Sequence, residues 1–435
     1  MTVSWRPVFS GDPAAQILAI VEDIAAAISG GPFEPPANVD PSVAEAWRYS
    51  LDGLAGQSLL HAYLALHRAG EARADTAADT AADTAIDTAI DLLDRATDAA
   101  GTLTLPPSLY FGFSGIGWVA AHLTGRLFEE SQDNLRDVDD ALLAALELSS
   151  FKGKYDLFDG LVGIGVYALE RVPRPSAVRL VEAVVSRIAA QAEHTGDGAA
   201  FFSAREHLLP AYRELFPSGT YNLGVAHGIA GVISLLGSVC RAGIATEQAR
   251  PLLVDSVSWL LAREHRDGGK FRFRNTYTPY NTKTDISRLA WCHGDLGVAM
   301  ALLVAARAIG EASWEAHARR LALGVAARRF EDTPAPDAGI CHGAAGIGHV
   351  FNRLYQETGD EPLGDAARAW LSQAVAMREP GLGIGGYRMF QSGKKYDHPG
   401  ARIGAGGVGL ALLAAISPVP PDWDRLLLAS SRGTA

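Results

Sequence analysis

Arg288-Leu289-Ala290-Trp291-Cys292-His293-Gly294-Asp295-Leu296-Gly297 is the stretch on which the fold of this chain turns, and it returns 49 residues later as Gly339-Ile340-Cys341-His342-Gly343-Ala344-Ala345-Gly346. Each copy sets a thiol, an imidazole and a glycine in a row, just ahead of an apolar run that reads as a buried helix. Reduced to Gly-x-x-Gly, the pattern occurs seven times, with first glycines at Gly53, Gly112, Gly160, Gly228, Gly294, Gly343 and Gly404 and successive offsets of 59, 48, 68, 66, 49 and 61 residues. Between the turns lie amphipathic runs, Ser176–His194, Glu247–Glu264, Trp314–Arg329 and Ala366–Met377, with apolar residues at three- and four-residue spacing. Strand-like alternation is scarce.

Each repeat therefore reads as an outer amphipathic helix followed by an inner, nearly all-apolar helix opened by glycines. Glycine lacks a Cβ, so it permits a tight turn and lets neighbouring helix starts approach closely. An inner helix that is apolar all round must be buried on every side, and a ring of inner helices wrapped by outer ones achieves this. The expected fold is all-α, an α/α toroid of seven inner and seven outer helices in a single domain over residues 1–435. Residues 1–42 read as an N-terminal helix and a loop, the loop over 31–42, where Gly31, Pro32, Pro35, Pro36 and Pro41 break any helix. Within 72–100, aspartates recur every fourth position from Asp75 to Asp91. That spacing keeps them near the solvated face of an outer helix, unlike the short alternation of a calcium loop. The spacers 173–223 and 240–288 are the longest, and insertions of this kind on a repeat scaffold commonly form the binding face.

A net charge of −11 with no basic stripe argues against nucleic acid or an anionic membrane surface as partner. The early apolar run Ile17–Val21 is interrupted by Glu22 and Asp23 and has no basic leader, and no stretch reads as a membrane span. A soluble, cytoplasmic protein is expected. Only Cys240, Cys292 and Cys341 are cysteines, an odd and sparse set that points to a reducing compartment and away from a disulfide framework.

Two of the three cysteines share the Cys-His-Gly setting, and thiolate with imidazole suits zinc. A closed structural site needs four protein ligands; Cys292, Cys341 and one histidine make three and leave a position for water or substrate, the count of a catalytic zinc. If the inner helices run the same way, His227, His293 and His342, each just before a first glycine, converge with the two cysteines at one end of the ring. Helix N-termini there would favour thiolates. Cys240 reads as a small buried hydrophobe.

Together the seven glycine turns, Trp291-Cys292-His293-Gly294, Cys341-His342-Gly343 and Ala226-His227-Gly228 resemble the lanthionine synthetase C-like cyclase family over nearly the whole chain. The resemblance implies zinc ligands at Cys292, Cys341 and His342, an acid/base histidine at His227, an aspartate at Asp156 and an arginine at Arg288. Asp159, directly before Gly160, is the alternative aspartate. His293 stands where many members have a tyrosine, and its role is open between a spare proton donor and a neighbour of the metal.

The activity that the family implies is addition of a peptide cysteine thiol to a dehydroalanine or dehydrobutyrine of the same peptide, closing a lanthionine or methyllanthionine ring without nucleotide or redox cofactor. At 435 residues the toroid leaves no room for a dehydratase domain, so a dehydrated precursor peptide and a separate dehydratase are the expected partners. Two other functions stay open on the same fold: addition of glutathione to dehydroamino acids, and a non-catalytic peptide-binding scaffold. A glycosidase toroid would use paired carboxylates, and a prenyltransferase would not place its ligands in ordered adjacency at glycine turns.

Overall fold

A helix opens directly after every one of the seven first glycines. The computed structural model describes residues 5–29, 33, 41–71, 76–129, 133–147, 153–208, 210–265, 270–280, 287–391 and 393–431. Among them run sixteen α-helices. In chain order these are α1 Asp12–Ile28, α2 Pro41–Tyr49, α3 Leu54–Glu71, α4 Thr76–Thr102, α5 Phe113–Leu123, α6 Arg136–Glu147, α7 Leu161–Arg171 and α8 Pro175–Gln191. There follow α9 Pro210–Leu215, α10 Ile229–Ala242, α11 Thr246–Leu261, α12 Asp295–Ile309, α13 Ala312–Ala326, α14 Ala344–Thr358, α15 Glu361–Ala376 and α16 Ala405–Ile416. The inner helices are α3, α5, α7, α10, α12, α14 and α16. Burial separates the two kinds as the patterning demands: α16 is buried from end to end, whereas α8 buries only one face, chiefly Ala177, Leu180, Val181, Val184, Val185 and Ile188. On α4, Asp83, Asp87 and Asp91 face solvent while Ala82, Ala85, Ala89 and Leu92 pack inward; Asp75 lies outside the described residues.

The chain divides into two compact units, Met1–Asp133 with Ala326–Trp423, and Asn134–Val325 with Asp424–Ala435. In the first, α3 packs on α4, α14 on α15, and α16 against α1, α3 and α14. In the second, α8 packs on α6 and α7, and α10 on α7, α11 and α12. Of the loop expected over 31–42, residues 31–32 and 34–40 lie outside the described residues, and Pro41 and Ser42 open α2, proline being tolerated in a first helical turn.

Within each unit the turns are stitched in a common register. The carbonyl two residues before a first glycine accepts N–H groups from the preceding turn. Ala226 O accepts from Leu157 at 3.1 Å and Cys292 O from Val225 at 2.9 Å in the second unit. Arg402 O accepts from Ile340 and Cys341, both at 3.0 Å, and Leu51 O from Ala401 at 3.0 Å in the first. The glycines follow from the same geometry: a Cβ on Gly228 would sit 2.2 Å from Asn222 O, and one on Gly346 would sit 1.7 Å from Ile340 O. The incoming chain of the same turn, folded back over its own helix start, is thus the wall that excludes a side chain.

Short strands occupy the spacers. β1 Glu193–Thr195 pairs with β2 Gly198–Ala200, and β3 Phe202–Ser203, β4 Thr220–Asn222 and β5 Thr276–Tyr277 form an antiparallel sheet in the order β3-β4-β5. β6 Met389–Gln391 and β7 Lys394–Tyr396 form a hairpin. Because α8 and α11 are ordinary outer helices, the additional chain in the two long spacers is confined to the residues between each of them and the next inner helix. No described helix is long and apolar enough to cross a membrane.

Candidate metal centre and acid-base pair

The Leu157 N–H to Ala226 O bond sets the third and fourth turns side by side, and the residues flanking that bond meet through their side chains. Asp156 Oδ2 lies 2.7 Å from His227 Nδ1. Burial opposes the Asp156 charge, but the hydrogen bond and charge of His227, the Asp159 N–H and nearby Lys154 outweigh it and hold the carboxyl below its ordinary value. An ionised carboxylate only accepts, so Nδ1 carries the hydrogen and Nε2 is left as the atom able to exchange a proton. The two aspartates are separated by their surroundings. Asp159 is exposed, 3.0 Å from Lys154 Nζ, and its N–H donates to Asp156 Oδ1 at 2.9 Å. The His227 imidazole is half-buried, with the Phe158 ring against it edge-on at 4.6 Å between centroids.

Cys292 and Cys341 are buried and His342 is half-buried. Cys292 belongs to the second unit, while Cys341 and His342 stand side by side on one glycine turn of the first. Two sulfurs and one imidazole nitrogen are the donor set zinc prefers, and three protein donors leave a coordination position for a further ligand. Asp337 braces the turn that carries Cys341 and His342. Its Oδ1 accepts the Gly339 N–H and its Oδ2 the Phe390 N–H, both at 2.9 Å, while burial pushes its carboxyl pKa upward. Cys240 is half-buried on α10, outside the two Cys-His-Gly turns.

His293 is buried, and its Nε2 lies 3.3 Å from Asn222 Nδ2. Since Asn222 Oδ1 accepts the Gly224 N–H at 2.9 Å, the amide presents its NH₂ to the ring, and His293 Nε2 is an acceptor. Arg288 is exposed, and its carbonyl packs against Gly294, where a Cβ would approach to 1.9 Å. Burial raises the phenol pKa of Tyr212 on α9, and the charges of Arg288 and Cys292 also act on it, which brings this ring within electrostatic reach of both. No motif marked Tyr212. Asn222, Asp337 and His398, by contrast, each stand six residues before a first glycine, a register the sequence contains but that composition does not flag.

The model of the family described as "Lanthionine synthetase C-like protein" matches residues 48–428, and the chain belongs to that family. Among solved structures it is similar to one titled "Nisin cyclase", with a TM-score of 0.70 and 18% identity over 96% of each chain. That likeness shows the fold, the all-α toroid class expected from the seven glycine turns.

Proposed function

We propose that this protein is a zinc-dependent lanthipeptide cyclase, joining a cysteine thiol of a dehydrated precursor peptide to a dehydroalanine or dehydrobutyrine of the same peptide. The observation that carries the reading is the donor set at the glycine turns, Cys292 in the second unit and the adjacent Cys341 and His342 in the first, in a chain of the lanthionine synthetase C-like family. The Asp156–His227 pair supports it, being tied through Val225 to the Cys292 carbonyl. Zinc in this site would supply a Lewis acid that keeps the incoming thiol, ordinarily mostly protonated at neutral pH, as its thiolate.

The balance of the reaction is simple. The thiol loses its proton, sulfur bonds to the β-carbon, and a proton is delivered to the α-carbon, so the product has the mass of the substrate. His227 Nε2 takes up the proton that the thiol releases and delivers it to the α-carbon, with Asp156 fixing the tautomer through Nδ1. Arg288, exposed to an arriving peptide, stabilises the negative charge that develops on the enolate oxygen. The chain around Phe202, Arg272 and Tyr280, the last of these 91% exposed, is assigned to contact with the peptide. Dehydration is assigned to a separate protein, and the three free thiols suit the reducing cytoplasm.

The test is the mass and thiol count of a dehydrated precursor incubated with zinc-loaded protein. Free thiols disappearing at constant mass is the expected result. A gain of the glutathione mass when glutathione is present would move the reading to intermolecular addition, and unchanged thiols would reduce the protein to a peptide-binding scaffold.

A further inference from the structure

The common register of the turns places an unassigned charged residue in the position that the cysteines occupy elsewhere. Two residues before the first glycine, the fifth turn has Cys292, the sixth Cys341 and the seventh Arg402. The Arg402 carbonyl accepts the N–H groups of Ile340 and Cys341, both at 3.0 Å, so the backbone of the sixth turn is hung on this residue. Its guanidinium is ion-paired with Asp52, whose side chain is 0% exposed and which itself stands directly before the first glycine of the first turn. The Tyr110 and Phe111 rings hold the guanidinium on another side, their centroids 5.8 and 5.3 Å away. Within this enclosure the charges of Arg402 and Cys341 act on each other, as do those of Arg402 and Asp52.

We propose that Arg402, locked by Asp52, is a positioning residue for the metal centre: it fixes the backbone of Cys341 and offsets negative charge that the thiolate ligands bring. The inference rests on the zinc reading. Two cysteine thiolates already neutralise a divalent ion, and a substrate thiolate leaves the assembly with a net negative charge in a buried setting. A neighbouring guanidinium that cannot swing away lowers the cost of that charge. Groups that hold and tune a metal ligand without touching the metal typically contribute about 10- to 100-fold in metal affinity.

The experiment is zinc affinity of the full-length protein by chelator competition, with cobalt substitution to read thiolate-to-metal charge transfer. Arg402→Gln is expected to weaken zinc by about 10- to 100-fold and to shift the cobalt–thiolate band. Arg402→Lys, which keeps the charge, is expected to recover most of the affinity. Because the single change leaves Asp52 buried without its partner, Asp52→Asn/Arg402→Gln is measured alongside, with a thermal melt to establish folding. If that folded double variant binds zinc as the wild type does and shows an unshifted cobalt band, the proposal is overturned while the metal centre stands. If the wild type takes up no more zinc than Cys341→Ala, the metal reading falls and this inference falls with it.

Discussion

Asp156 is buried and ionised while His227 is half-exposed, and the difference divides their work: one holds a tautomer, the other meets substrate. His227→Ala should leave zinc content unchanged and lower kcat by about 10²- to 10⁴-fold, the usual contribution of a positioned acid/base group. Asp156→Asn should lower kcat too with zinc retained, because an amide can donate to Nδ1 and so favours the tautomer with its hydrogen on Nε2. Zinc content by metal analysis and single-turnover ring closure check both, and a loss of zinc in His227→Ala would make it a ligand instead. At this scale the sequence was informative wherever chemistry fell into the glycine register. Cys292, Cys341, His342 and His227 all lie one or two residues before a first glycine. Asp156 and Asp159 share a short stretch that spacing cannot divide, and the choice depends on which way each side chain leaves the turn. Arg402 went unread because an arginine in a cysteine's position resembles a surface residue until Asp52 is seen beneath it.

The element that decides stability is the turn, since in the sixth repeat both of its glycines, Gly343 and Gly346, are walled by backbone. A Cβ on Gly346 would meet Ile340 O at 1.7 Å, and that residue's N–H is tied to Arg402. A backbone wall cannot give as a flexible side chain would, so Gly346→Ala should cost about 3 kcal/mol or more, at the upper end of overpacking penalties. Gly324, exposed near the end of α13 with no atom within 4 Å of an added Cβ, is the contrast. Gly324→Ala should stabilise by about 0.4–1 kcal/mol, chiefly by restricting the unfolded chain. Urea unfolding of the pair checks both signs at once; equal midpoints would remove the wall from the explanation. The same contrast explains legibility. Inner helices were locatable to the residue because a glycine must stand at each start, whereas outer helices had only periodicity, which carries no stop signal. Thus α8 ends at Gln191, not His194, because β1 takes His194 to pair with Ala199 of β2.

Over the whole molecule, the seven repeats and the all-α class could be read from glycine spacing, but the two compact units could not. Neither Asp133 nor Val325 is marked by the proline- or glycine-rich linker that would announce a boundary. Acid stability is likewise a global property with a readable origin. Burial, together with the positive charge of Arg68, lowers the His61 pKa from 6.5 to about 4. At His398 burial again dominates, with Asp52 opposing it and Arg402 adding to it, and its pKa also falls from 6.5 to about 4. His398 Nδ1 already accepts the Gly400 N–H at 3.1 Å, so a proton there would displace a bond of the seventh turn. Above pH 6.5 these histidines are neutral in both states and cost nothing. As the pH falls from 6.5 towards 4, the unfolded chain binds protons that the folded one refuses, and stability drops by up to the order of 3 kcal/mol for each. The paired Asp156 acts in a lower window, because its folded pKa lies below 3.8 and its contribution is lost only as the pH falls through and beneath that value. The urea midpoint should therefore decline between pH 6.5 and 4 in the wild type and more shallowly in His61→Gln/His398→Gln, with Asp156→Asn leaving that window unchanged. A decline of the same slope in the histidine double variant would assign acid sensitivity to other groups.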